Sequence, residues 1–341
     1  MSIDLKILDC TLRDGGYVNS FSFGEENIRK IVDGLTSSGV DIIEIGFLKD
    51  GNHGANQTLF NRVSEAEKFT TDNQEYCLMI RPDWYDIEQL ESCTGNIANL
   101  RFAFHYTDME LALDHAKFAR ELGYNIFFNP VSILNYSKAE LKDMLTRLNE
   151  FSPAGVSIVD TFGSLVPSDL HDMFSTFNEF LDDHIGLGLH LHENLSLSMS
   201  LATHFIELMK NSIRTAYLDS SVLGMGRVPG NLCTELLLPY VNRVVQDKYD
   251  LSEIYKLIDD PISTIRETVS WGYMPAYAIT GFLNIHRSYA EHLMDKRDIS
   301  LESINIILDK VARSGNGENF TESLVDEIYE ECMNEKNCQS I

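Results

Sequence analysis

At 341 residues the chain exceeds a small single domain but fits one α/β barrel of roughly 250 residues with an appendage. A hydrophobic content of 44% with 23% charged residues suffices to bury a large core, which excludes a disordered polypeptide. The formal net charge of -25 argues against a sequence-independent grip on nucleic acid or anionic lipid, because both need clustered Lys and Arg.

The opening MSIDLKILDC has no basic segment leading into an apolar stretch, and no apolar run approaches membrane length, so a cytoplasmic protein without a membrane partner is expected. Six cysteines (Cys10, Cys77, Cys93, Cys233, Cys332 and Cys338) lack a CxxC or finger spacing and read as reduced, mostly interior thiols. A Cys332–Cys338 pair is the one alternative.

Eight short apolar or β-branched runs follow one another as predicted strands: 5–12, 41–47, 76–81, 97–104, 124–129, 155–160, 185–191 and 215–220. Each is nearly continuous in apolar character, as expected of strands covered on both faces. Amphipathic stretches such as 25–37 and 111–122 lie between them and end at Gly39 and Gly123. Eight β-α units predict a closed (β/α)8 TIM barrel; an open doubly wound sheet would call for a GxGxxG turn after its first strand, which is absent. After about residue 250 helical patterns take over, so residues 1–250 are expected to form the catalytic barrel and 251–341 a small helical C-terminal region. SGNGENF (314–320) reads as an exposed loop.

Barrel chemistry sits at the C-terminal ends of strands. The first run ends in TLRDGGY, bringing Arg13 and Asp14 before a Gly15-Gly16 turn; the seventh ends in HLHEN; GMGRVPGN follows the eighth. His190 and His192 are two apart, so in a strand both imidazoles share a face, toward the barrel axis if Gly188 also points inward. That is chelating geometry, although two core histidines satisfied by hydrogen bonds would give the same spacing. Asp14 reads either as a ligand or as a turn former before Gly-Gly. Combined with a loop amide, these residues form a mixed O/N shell with open positions, suited to Mn2+ or Mg2+, with Co2+ or Zn2+ also accommodated.

Parity puts His105 with Arg101 and Ala103 on the fourth strand, so His105 could reach the site as an acid, base or carboxylate contact, or be a core histidine. Arg81 ends the third strand and could clamp an acidic group, or pair at the surface. Glu44, on the second strand, and Asp160 and Thr161, ending the sixth, are placed to orient the inner residues.

The strings LDCTLRDGG, GLHLHENLSLSMS and LGMGRVPGNLCTE resemble the signatures of the pyruvate carboxyltransferase or HMG-CoA lyase-like superfamily, the DRE-TIM metallolyases. Within it, HENLSLS, DSSVLGMG and the late WGYMPAY are similar to the 4-hydroxy-2-oxovalerate aldolase branch, so the resemblance covers nearly the whole chain. It implies a metal held by Asp14, His190 and His192, with Asn231 as a further ligand in some members, and Arg13 as the group that stabilises an enolate. It also implies a site tyrosine from the C-terminal helices, for which Tyr277 is the candidate; helix packing is its alternative role. One position departs from the branch: the histidine expected three residues after the metal-binding Asp is Tyr17. Either Tyr17 serves as base with a lowered pKa, or a metal-bound water or His53 moves the proton.

The expected activity is that of a carbon-carbon lyase, a metal-dependent aldolase joining or splitting a 2-oxo acid and an aldehyde at a 4-hydroxy-2-oxo acid. Arg13, Arg81 and Thr161 would contact the substrate, and Arg13, Tyr17, His105 and Tyr277 would take part in catalysis. The alternatives are a Claisen-type synthase or lyase using an acyl thioester, and a non-catalytic partner-binding barrel. A homo-oligomer is expected, and the relatives' tail contact with an acylating aldehyde dehydrogenase suggests such a partner.

Overall fold

A computed structural model describes residues 3–227, 229–296 and 299–339, with side chains described as far as Asn334. Eight parallel strands close on themselves: β1 (Leu5–Asp9), β2 (Ile42–Leu48), β3 (Glu75–Ile80), β4 (Ile97–Phe104), β5 (Asn125–Pro130), β6 (Gly155–Val159), β7 (Gly186–His190) and β8 (Ala216–Ser220). Closure runs through β1, which pairs with β8 from Leu5↔Ala216 to Asp9↔Ser220 and with β2 at Leu8↔Ile42 and Asp9↔Ile43. All eight expected strands are present, and the fold is the expected barrel followed by helices. A two-residue strand, Leu59–Phe60, lies beside β2 within the loop that follows it.

The helices form where an apolar stripe recurs at helical spacing. Glu25–Ser38 buries Ile28, Ile31, Val32 and Leu35 against the sheet and stops at Gly39, whose φ of 80° gives the left-handed cap that glycine adopts without strain. The β-α alternation lapses once. Between β3 and β4 the chain RPDWYDIEQLESCTGN carries Pro82 and no long apolar stripe, and it forms only a 3-10 turn at Ile87–Gln89.

Beyond the barrel, residues through Trp271 still pack into the main core, with Leu257 and Ile262 among them. From Ala276 onward a second core gathers Tyr289, Leu293, Ile307, Leu308 and Val325 from the helices Pro275–Leu283, Ser288–Met294, Leu301–Arg313 and Glu322–Gln339. The 314–320 loop is exposed at most positions, but it is tied down where Gly317 O accepts the His286 amide and Asn319 O accepts the Tyr289 hydroxyl. No described helix is long and apolar enough to cross a membrane. Cys10, Cys77, Cys93 and Cys233 are free thiols; Cys338 lies outside the described side chains, and so does its suggested pairing with Cys332.

One interior glycine sets the space beneath the site. A Cβ at Gly188 would lie 2.4 Å from Ser157 Oγ on the neighbouring strand, so β7 approaches β6 closely only because the side chain is absent. Gly188→Val should overpack this layer and cost about 1–3 kcal/mol. Urea denaturation would show this as a lower midpoint, and an unchanged midpoint would mean that the interior yields.

Candidate metal centre and active-site cavity

Asp14 follows β1 and precedes a 3-10 turn at Gly15–Tyr17. Gly16 allows that turn, since a Cβ there would fall 2.1 Å from the Phe21 ring, which itself packs edge-on against Tyr17. The Asp14 side chain does not cap the turn. It faces the barrel mouth, accepting from Arg13 Nη1 at 2.5 Å, from Asn231 Nδ2 at 2.8 Å and from the Arg227 amide at 3.3 Å. Arg13 and the two nearby histidines hold its pKa well below the usual carboxylate range despite burial.

His190 ends β7, and its inward neighbour Gly188 faces the barrel interior with Arg101 and Asp219. Its Nδ1 meets Asp219 Oδ2 at 2.9 Å. His192, in a bridge with Asn231, places Nδ1 2.8 Å from the Asp160 carbonyl, which can only accept. These contacts assign the proton to Nδ1 in both rings and leave Nε2 as the free lone pair. Burial lowers the His190 pKa and keeps that ring neutral.

A ligand atom from each of Asp14, His190 and His192 lies within 4.8 Å of the others, and all three residues are buried. His192 Nε2 has no hydrogen-bond partner and stands 3.6 Å from Asp14 Oδ2; Asn231 Oδ1 is likewise buried and unpartnered. Unsatisfied buried polar atoms converging with a carboxylate fit a divalent cation better than two satisfied core histidines. The Asn231 amide presents its nitrogen to Asp14, so as oriented it supports the carboxylate; turning the amide over would direct the oxygen inward. A second grouping, His292, Glu322 and Asp326, is partly exposed, and its Asp326 carboxylate is shared by Lys296 and His292.

The triad opens on a cavity of ≈ 90 Å³. Arg13, Tyr17, Arg81, Thr161 and Arg227 line it on the polar side, and Phe47, Met79, Ala103, Val131 and Val159 on the apolar side. Such a space suits a small acid. A family model described as HMGL-like matches residues 4–260. The chain belongs to the HMGL-like family.

Among HMGL-like relatives, the 4-hydroxy-2-oxovalerate aldolase of Geobacillus genomosp. 3 is 26% identical over 316 residues, covering 87% of this chain and 90% of that protein. The enzyme of the same name from Bacillus thuringiensis (strain Al Hakam) is 25% identical, covering 87% of this chain and 89% of that one. A solved N-terminal domain of a provisionally named aldolase from Bacteroides vulgatus superposes with a TM-score of 0.74 at 22% identity, covering 89% of this chain and 99% of that one.

The HMGL-like barrel brings Arg13, Asp14, Tyr17, Arg81, Thr161, His190 and His192 to one cavity, with Asn231 bonded to Asp14 from outside the lining. Thr161 Oγ1 accepts the Ser132 amide, leaving its own hydrogen to donate. Arg81 is held by Asp83 through two bonds and lies over Trp84.

Two expected catalytic residues lie outside the lining. His105 follows the end of β4 in extended backbone, just before a 3-10 turn at Tyr106–Asp108, and its Nδ1 is 3.8 Å from Glu318 Oε1 in the C-terminal region. Tyr277 is buried in the second core with its hydroxyl 3.4 Å from Glu291. Burial and the charge of Asp14 push the Tyr17 pKa up, and a cation bound at Asp14 would act in the opposite sense. His53 lies away from the lining, 3.0 Å from the Lys49 carbonyl.

Sequence reasoning missed Asp219, Arg227 and the role of Arg101. Arg101 donates to Asp219 at 2.5 Å, to Glu44 at 3.1 Å and to Asn129 at 3.2 Å, and Glu44 receives Arg13 Nε at 2.6 Å on its other oxygen. The aspartate in TAYLDS was a detectable signal, as a carboxylate inside a predicted parallel strand must be paired.

Asp219→Asn would remove the charge that Arg101 and His190 share. Divalent-cation affinity should fall about 10–100-fold, as losses of ligand-orienting carboxylates usually do. Mn2+ titration followed by paramagnetic resonance would measure it, and unaltered affinity would count against a metal centre at His190.

Proposed function

We propose that this HMGL-like protein is a divalent-metal-dependent aldolase that cleaves or forms a 4-hydroxy-2-oxo acid, with pyruvate enolate and an aldehyde as the two halves. The observation that carries the reading is the buried Asp14, His190 and His192 group facing a small cavity with Arg13 alongside. Relatives named 4-hydroxy-2-oxovalerate aldolase over most of the chain support it. A divalent cation held by the triad, Mn2+ or Mg2+ by ligand type, would supply Lewis acidity toward the keto group of a chelating 2-oxo acid.

The chain's own residues account for the rest. Arg13 is fixed by Glu44 and Asp14 before any charge develops, so its guanidinium needs no reorganisation to meet the oxygen of an enolate. In cleavage the 4-hydroxyl gives its proton to water, its oxygen's electron pair forms the aldehyde C=O as the C3–C4 bond breaks, and that bond's pair becomes the enolate, whose carbon takes up one proton in return. Among the described lining residues every carboxylate and imidazole belongs to the triad. Tyr17 remains as a neutral phenol, a group that gives a hydrogen bond or a proton, and it is assigned to the enolate carbon. Phe47, Met79, Val131 and Val159 keep that side of the cavity dry and strengthen each charge interaction. The cavity's size favours a small aldehyde over an acyl thioester.

The test is pyruvate methyl-proton exchange in heavy water, followed by NMR. Exchange that depends on added Mn2+ and disappears in Asp14→Ala is the expected result. Arg13→Ala should slow exchange about 10²–10³-fold, the range for losing one pre-placed donor to an oxyanion, while changing Mn2+ content far less. No exchange with any divalent metal would overturn the aldolase reading and direct attention to acyl thioesters.

A further inference from the structure

The ion-paired charges around the triad can be summed. Asp14, Glu44 and Asp219 outnumber Arg13 and Arg101 by one. A divalent cation and one carboxylate of a 2-oxo acid would bring that group to neutrality. Asp160, nearby, has its carboxylate received by the amides of Ser164 and Leu165.

Arg227 stands outside this sum. Its side chain lines the same cavity, yet among the described residues no carboxylate forms an ion pair with it. Its contact is His286, where Arg227 Nη2 and the ring Nε2 are 2.5 Å apart. Burial between two arginines lowers the His286 pKa to about 3, so the imidazole is neutral and supplies no charge to Arg227. Other guanidiniums in this neighbourhood are answered: Arg81 by Asp83 and Arg287 by Glu291. Burial and Arg287 act against the cationic form of Arg227, and Asp14 and Glu291 favour it only from beyond ion-pair distance. A desolvated cation without a counter-ion is costly, and a ligand that brings the missing charge relieves that cost.

The geometry points to Arg227 as the receptor for a second carboxylate on the substrate, carried by the acceptor half, so that the favoured aldehyde is an acidic one and the product a 4-hydroxy-2-oxo diacid. This rests on the aldolase reading for the word acceptor, while the anion site itself rests on Arg227 alone. His286 is its positioning residue, reaching from the C-terminal helices to hold the guanidinium over the cavity. In condensation the enolate carbon bonds to the aldehyde carbon, the carbonyl π pair moves onto oxygen, and a proton joins it there as the 4-hydroxyl. A guanidinium opposite the acceptor's carboxylate fixes which face and depth the aldehyde takes, through a charge-assisted and preferably bidentate contact.

Two five-carbon 2-oxo acids, 2-oxoglutarate and 2-oxopentanoate, differ in the distal carboxylate and need no turnover. Calorimetric titration of the full chain supplemented with Mn2+ should show 2-oxoglutarate bound at least about 10-fold more tightly, the scale of one charge-assisted bond. Arg227→Met should abolish the preference and Arg227→Lys should keep part of it. Equal binding of the two acids by the unaltered protein, or a preference that survives Arg227→Met, would overturn the assignment. Pyruvate exchange on the same preparation separates the two readings. A dicarboxylate preference without exchange would overturn the aldolase and leave the anion site standing. Exchange without the preference would overturn the anion site alone.

Discussion

Glu44 holds two buried arginines at once, Arg13 through Oε2 and Arg101 through Oε1, and the arrangement of the barrel mouth depends on it. From this carboxylate a chain of ion pairs runs both ways, through Arg13 to Asp14 and through Arg101 and Asp219 to His190. Both ends finish on members of the triad. Five strands, β1, β2, β4, β7 and β8, are tied together by contacts that tolerate little displacement, because every member is buried and a lost partner leaves a charge uncompensated, at about 3–5 kcal/mol. The same chain that costs desolvation energy therefore sets the positions of the chemically active groups before substrate arrives.

The electrostatic consequence is a site with a defined appetite. Arg101 and His190 draw the Asp219 pKa down to about 2, and Arg13 does the same in direction for Asp14, so both carboxylates stay charged through the neutral range. With the neutral His190 imidazole beside them, the cluster carries excess negative charge that a divalent cation would reverse and a 2-oxo acid would then match. The apolar wall on the other side of the cavity makes these charges act at low dielectric, where a guanidinium near a developing oxyanion matters most.

The C-terminal helices are joined to this chemistry by few contacts. Asn194, two residues beyond the second histidine, donates to the Tyr277 carbonyl, and His286 meets Arg227 across the cavity rim. Tyr277 thus reaches the site region through its backbone while its hydroxyl meets Glu291. The helical region has its own core yet sits close on the barrel loops, where a Cβ at Gly281 would lie 2.9 Å from Asn194 Cβ and 3.1 Å from Gly163 O. Tyr17, buried against Phe21 and Phe47, shows the converse: a position tightly built into the barrel whose chemistry follows from burial.

Much was decided by the sequence alone. Eight apolar runs separated by turn signals specify parallel strands covered on both faces, and their number leaves closure as the simple solution, so the strand positions agreed to within a few residues. Period-two alternation placed Gly188 and His190 on one face, and LDCTLRDGG beside HLHEN was enough to anticipate which residues would meet. Only the tertiary structure decided the rest. Parity says whether a side chain points inward and nothing about what lies opposite, so Glu44 between Arg13 and Arg101 could not be read from residues 31 and 57 positions apart. The state of Tyr17 depends on how completely its neighbours exclude water, and the unpaired charge of Arg227 depends on which acids fail to reach it. Both are properties of packing between distant segments, which local pattern does not encode.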